Sequence, residues 1–229
     1  MIKIEKTDVY GWESAIRGMR NPKNSWNKSD SKFDIVLGDM LDSGQQYFYD
    51  VKLGENDLKL AKTLANAGPE HGKFLRMINV TCDITAPLYW WKEYDTYKVG
   101  TVADSCSTMH KIQAKKFELS DFSFEHLRAF TFNSSDFTRI DSKSVLQATI
   151  DVLNAFRNAY NETQDKAYWW QMIQLLPSSY NQKRTVQVNY AVLRSMYHQR
   201  KNHKLDEWHT FCDWVESLPY AKELILDEN

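Results

Sequence analysis

Residues 176–200 read LPSSYNQKRTVQVNYAVLRSMYHQR. Proline fixes its own backbone and restricts the residue before it, so Leu176-Pro177 must end any helix that precedes it. From about Thr185 the apolar stripe Val186, Tyr190, Leu193 and Tyr197 predicts a helix that runs to Arg200. On such a helix Asn189 and Arg200 fall within about 20° of each other and about three turns apart, so an amide and a guanidinium line one face. A guanidinium fork suits a phosphate or a uracil-like carbonyl edge. Lys201, His203 and Lys204 follow Arg200, and a basic helix end that complements the dipole is the alternative reading.

Working upstream, Ala167 to Leu176 predicts another helix, broken at Pro177. Leu146, Ile150, Leu153, Phe156 and Tyr160 step by three or four, which predicts a helix over 144–160 with Ser144 and Gln147 as a capping box. Thr101 to Ser107 is rich in small and hydroxyl residues without a period and reads as an ordered loop. Leu88 to Tyr94 reads as a helix opened by Pro87 and ended near Gly100. Ile78, Val80, Cys82 and Ile84 alternate with polar residues, the period of a half-buried strand. Leu58, Ala61, Leu64 and Ala65 keep helical spacing, with Asn56 or Asp57 as N-cap and Gly68-Pro69 as stop. A weak strand over 1–5, a short helix from Trp12 to Met19 and a polar loop over 24–32 complete the N-terminal side. Downstream, Trp208, Cys212, Val215 and Leu218 mark a last helix. Few strands among several helices, with no internal repeat, point to an α+β layer arrangement.

With 229 residues the chain favours one compact domain, 1–229, over two small ones, and its 8 Trp, 12 Tyr and 11 Phe exclude a disordered chain. The 29 basic and 30 acidic residues leave a formal charge of -1, no global field for a nucleic-acid backbone, though a small anion pocket stays open. Cys82, Cys106 and Cys212 cannot all pair and lack metal-ligand spacing, which predicts free thiols, no metal site and a reducing, cytoplasmic compartment. No run is apolar enough to cross a bilayer.

Walker, GxGxxG, GxSxG and HExxH signatures are missing, so the chemistry must rest on weaker constellations. Trp90-Trp91 and Trp169-Trp170 can stack on a flavin or nucleobase plane, but core packing is the default for at least three of the four. Cys106 lies in sequence near Lys98, Asp104 and His110, where a neighbouring cation can activate a thiolate; a loop cysteine is more often inert. His71 and His198 can titrate near neutrality, with a surface role as the default.

The block Leu176-Pro177, Thr185-Val186, Asn189 and Arg200 resembles the C-terminal signature of the flavin-dependent thymidylate synthases, the ThyX class, with the same intervals. The order of upstream elements through Ile84-Thr85-Ala86-Pro87, and Glu13-Ser14-Ala15-Ile16-Arg17 near the N-terminus, is similar as well. The resemblance implies an α+β ThyX-like fold, an antiparallel or mixed sheet packed with several long helices. It implies FAD as cofactor, dUMP as substrate, methylenetetrahydrofolate and NADPH as co-substrates, and a homotetramer. Arg200 then corresponds to the arginine that holds and activates the pyrimidine, with Lys98, Asp104 and Cys106 on the substrate side. Asn189, Thr96, Tyr97 and His71 fall on the cofactor side.

The family's Arg-His-Arg motif aligns with Thr96-Tyr97-Lys98, so only the last cation survives. Further family groups fall at Cys106, Thr108 and Ile173, and a later Ala-Gln-x-Glu-Ile run has become Leu205-Asp206-Glu207-Trp208-His209. Loss of three charge-assisted phosphate contacts, at roughly 1.5–3 kcal/mol each, weakens dUMP binding unless Lys92, Lys98, Arg76 or Lys111 compensates. Alkylation of another pyrimidine nucleotide, and a non-catalytic nucleotide-binding protein on the same fold, are therefore the rival expectations.

Overall fold

The computed structural model describes residues 2–38, 46–130 and 140–227. The elements run β1 (Lys3–Tyr10), α1 (Trp12–Arg20), β2 (Lys32–Gly38), β3 (Gln46–Lys52), α2 (Glu55–Asn66), β4 (Asn79–Pro87), α3 (Leu88–Tyr94) and β5 (Thr101–Ser105). They continue as α4 (Thr108–Lys111), β6 (Ala129–Phe130), β7 (Ile140–Asp141), α5 (Ser142–Thr163), α6 (Lys166–Leu175), β8 (Asn181–Asn189), α7 (Tyr190–Arg200) and α8 (Asp206–Glu216). Four strands pair in the order β1-β4-β8-β5, and β2 pairs with β3 as an antiparallel ribbon that sets Lys32 opposite Lys52. This is an α+β chain.

The residues form two compact units, one of 1–3, 84–96 and 104–184, the other of 4–83, 97–103 and 185–229. In the first, α5 and α6 pack together over a core of Ile112, Phe117, Phe122, Leu146, Ile150, Leu153 and Met172. The 3.6-residue period of α5 buries Leu146, Ile150 and Leu153 on one stripe. Its N-cap is Asp141, whose carboxylate accepts from the Lys143 and Ser144 backbone N–H groups, so the cap lies three residues before the expected Ser144. A carboxylate there also complements the positive end of the helix dipole.

In the second unit α7 is the central helix, packed against α8 and against short turns at Gly72–Arg76 and Lys222–Leu226. Trp12 meets Tyr190 edge-on at 5.3 Å, and the Tyr190 hydroxyl donates to the Pro219 carbonyl at 2.7 Å, so the large ring is buried with its polar end satisfied. Arg194 donates to the Leu224 and Asp227 carbonyls and to Asn66, which pins the C-terminal residues to α7. Asp57 is not a cap: α2 starts at Glu55 after Gly54, and the fully buried Asp57 carboxylate binds Arg20, Ser29 and Ser31.

Two further expectations change. The predicted helix over 185–200 is a strand, β8, up to Asn189 and a helix, α7, from Tyr190. The β-branched alternation in Thr185-Val186-Gln187-Val188 explains the strand, since Val186 and Val188 are buried and their neighbours less so. Thr101 to Ser105 is a strand rather than a loop, and it carries no apolar period because it is an edge strand with four of its five residues exposed.

Candidate functional site

The Arg200 side chain is clamped at the C-terminal end of α7. Its Nε donates to the Tyr97 hydroxyl at 2.9 Å, and that hydroxyl donates to Gln199 Oε1 at 2.9 Å. The guanidinium carbon lies 4.9 Å from the centre of the Trp208 ring and 5.5 Å from that of Tyr97. A cation against two aromatic faces gains electrostatic attraction while keeping its planar fork. Trp208 itself is fully buried, which makes it a rigid floor.

Asn189 lies at the other end of the same helix. Its Oδ1 accepts from the Val192 backbone N–H at 3.1 Å, a helix N-cap, and its Nδ2 reaches the Gly100 carbonyl at 3.4 Å. The predicted single face is thus corrected: Asn189 precedes the first helical residue, so the 100°-per-residue count does not apply to it. Between these two anchors runs the short strap Tyr97–Thr101, closed by the Thr101 hydroxyl donating to the Tyr97 carbonyl at 2.7 Å. Gly100 has φ +85, and a Cβ there would meet Asn189 Nδ2 and Val192 Cγ2 at 3.0 Å each, so the close approach of strap and helix requires glycine.

Lys98 is an exposed cation on this strap, and His71 is exposed in the turn after α2. Among the remaining candidates, Thr96 is exposed with its hydroxyl on the Glu93 carbonyl. Asp104 is exposed at the end of β5. Cys106 is exposed as well; its backbone N–H donates to Lys183 and its carbonyl accepts from Gln182 Nε2 at 2.8 Å, both on β8. Ile173 packs on the α5–α6 core, so that position is structural here. Arg76, Lys92 and Lys111, named as compensating cations, are all exposed. Trp90 and Trp91 are buried and Trp169 packs on the α5–α6 core, while Trp170 is exposed, in line with core packing for three of the four.

Tyr197 and α8 border a second feature, an open groove of about 660 Å³ lined by groups that include Lys201, His203, His209, Cys212 and Glu216 but not Arg200 or Asn189. Burial and the Glu216 carboxylate, bound at 2.7 Å, push the Tyr197 phenol up to about 12. His198 is drawn away from the groove, its Nε2 within 2.9 Å of the Ile225 carbonyl. No group of three or more His, Cys, Asp or Glu that could hold a metal ion occurs among the described residues. No helix among them is long and apolar enough to cross a membrane.

Sequence reasoning missed Gln199 and the stacking role of Trp208, and it placed Tyr97 on the cofactor side without its arginine partner. The spacing of Trp208 on α8 signalled burial, and no local pattern signals a contact across 103 residues.

This order of strands and helices is the ThyX fold, that of the flavin-dependent thymidylate synthases. Thymidylate synthase X from Helicobacter pylori, solved with FAD and dUMP, matches with a TM-score of 0.63 and 15% identity over 98% of this chain and 97% of that one. A second structure of the Helicobacter pylori enzyme, also complexed with FAD and dUMP, gives 0.64 and 15% over 97% of both chains. The UMP/dUMP methylase PolB from Streptomyces cacaoi, bound with 5-Br dUMP, gives 0.58 and 12% over 99% and 95%. No protein-family model and no curated protein sequence matches the chain.

Proposed function

We propose that this chain is a flavin-dependent enzyme that methylates dUMP, or alkylates a closely related pyrimidine nucleotide. The observation that carries the reading is the Arg200 guanidinium, clamped by Tyr97 and Trp208 on a fold that two Helicobacter pylori structures show with FAD and dUMP. A planar cation of this kind pairs with the carbonyl edge of a uracil ring and stabilises charge that develops there. Arg200 is accordingly the catalytic residue, with Lys98 of the same unit on the nucleotide side.

The residues on the cofactor side fit an anionic dinucleotide in kind. His71 is an exposed polar group and Lys98 is an exposed cation beside Tyr97 in the chain, chemistry that suits a diphosphate. Asn189 contributes by fixing the start of α7 and the strap at Gly100. Were FAD bound, it would supply carriage of a one-carbon unit from methylenetetrahydrofolate and of the hydride that completes the methyl group, with NADPH as the reductant. The chain's own groups bind, orient and polarise the pyrimidine. A cytoplasmic homotetramer belongs to the same proposal, and exposed Trp170, Val99 and Val102 suit contacts between copies.

The second reading is a nucleotide-binding protein without catalysis. It is favoured by the neutral Thr96 and Tyr97, the latter with its hydroxyl engaged by both Gln199 and Arg200. Absorbance spectra separate the two. A protein that takes up FAD, is bleached by NADPH and forms a methylated pyrimidine from dUMP and methylenetetrahydrofolate supports the enzyme. One that binds dUMP but never FAD supports the second reading, and one that binds neither refutes both.

A further inference from the structure

We infer that Tyr97 is a residue that positions Arg200 for its ligand. The inference rests on the reading of Arg200 as a pyrimidine-binding group and adds a residue to that site. An arginine side chain has several rotatable bonds, and its fork is selective only when those bonds are fixed. Here Nε is fixed by the Tyr97 oxygen at 2.9 Å, and the plane is fixed by Trp208 and by the Tyr97 ring.

The phenol is itself oriented. Its single proton goes to Gln199 Oε1 at 2.9 Å, so the oxygen's lone pairs are left to accept from Arg200. Gln199 in turn is held by its own Nε2 donating to Ser195 Oγ at 2.9 Å, one turn back on α7. The Tyr97 ring meets Trp208 edge-on at 6.3 Å, and the strap behind it is tied at Gly100 and Thr101. A chain of contacts thus runs from the rigid surface of α7 and α8 through Tyr97 to the guanidinium.

Tyr97→Phe tests this, because it keeps the ring and its stacking and removes only the oxygen. Two readouts are taken: the Arg200 Nε–H resonance in a nitrogen-proton correlation spectrum, assigned by its loss in Arg200→Ala, and calorimetric titration with dUMP. The expected result is an Nε–H that exchanges slowly in the parent and rapidly in Tyr97→Phe, with dUMP affinity down roughly tenfold and an unaltered melting temperature. An unchanged Nε–H signal in Tyr97→Phe overturns the inference. So does unchanged dUMP affinity in Tyr97→Phe when Arg200→Ala has lost it. Loss of the signal in a protein that takes up no dUMP upholds the positioning contact and overturns the functional reading instead.

Discussion

Asn189 and Arg200 stand at opposite ends of α7, the first capping it through the Val192 N–H and the second closing its last turn with Nε on the Tyr97 hydroxyl. The strap from Tyr97 to Thr101 is held at both of these points, so the two residues act on one segment from opposite ends of the helix. Changes at either end should therefore register in the stability of the helix and in the placement of the strap.

Asn189→Ala removes the cap and should cost about 0.5–2 kcal/mol, whereas Asn189→Asp or Asn189→Ser, which keep a side-chain acceptor, should restore most of it. For a chain of this size each kcal/mol lowers the melting temperature by roughly 2–4 °C. A scanning calorimeter decides the matter: equal melting temperatures for the Ala and Ser variants would show that the cap is not what Asn189 contributes.

Gly100→Ala places a Cβ at a φ of +85, against Asn189 and Val192. Strain at such a position costs on the order of 1–3 kcal/mol. Because the same strap carries Tyr97, dUMP affinity should fall together with stability. Chemical denaturation and dUMP titration of one variant measure both, and a loss of stability with full affinity would uncouple the strap from Arg200.

The buried Asp57 is an acid-sensitive point. Burial raises its carboxyl, but hydrogen bonds from Ser31, Ser29, Arg20 and the Asp30 backbone outweigh this and hold it below its ordinary value of 3.8. A depressed folded-state value means that stability is fully present above the unfolded value and is lost as pH falls through the folded one, so the window lies below about pH 4. Asp57→Asn leaves Arg20 buried without its counter-charge and should cost about 3–5 kcal/mol at neutral pH. Urea midpoints at pH 7 and pH 3 should differ less in the variant than in the parent; an equal difference would assign the acid sensitivity elsewhere.

Thiol reactivity should separate the three cysteines. Cys106 is exposed, whereas Cys82 and Cys212 are 1% and 4% exposed. Burial, with Asp83 beside it, pushes the Cys82 thiol up to about 12, and burial with Asp213 and Glu216 pushes Cys212 up to about 11. A thiol reagent at pH 8 should titrate one group at once and two more only in denaturant. Rapid reaction of all three would contradict the packing of β4 and α8.

Elements with a sustained local period were legible in the residues themselves. The stripe Leu146, Ile150 and Leu153, the alternation through Val80, Cys82 and Ile84, and the prolines at 87 and 177 marked α5, β4 and the ends of neighbouring elements. Where two periods overlap, the reading failed: Val186, Tyr190 and Leu193 satisfy a helical count, although Val186 belongs to a strand and only the last two to a helix. Strand β5 was illegible for the opposite reason, since an exposed edge strand needs no apolar face.

The candidate site divides in the same way. Arg200, its interval from Asn189 and the Leu-Pro before them could be read along the chain, because covalent order preserves spacing. What Arg200 touches could not. Tyr97 precedes it by 103 residues, and Trp208 was visible only as one more apolar position on a helix. Composition and periodicity determined that this chain folds as α+β with Arg200 near the end of a helix; only tertiary packing decided that a phenol and an indole hold it, because side chains distant in sequence meet through the shape of the whole core.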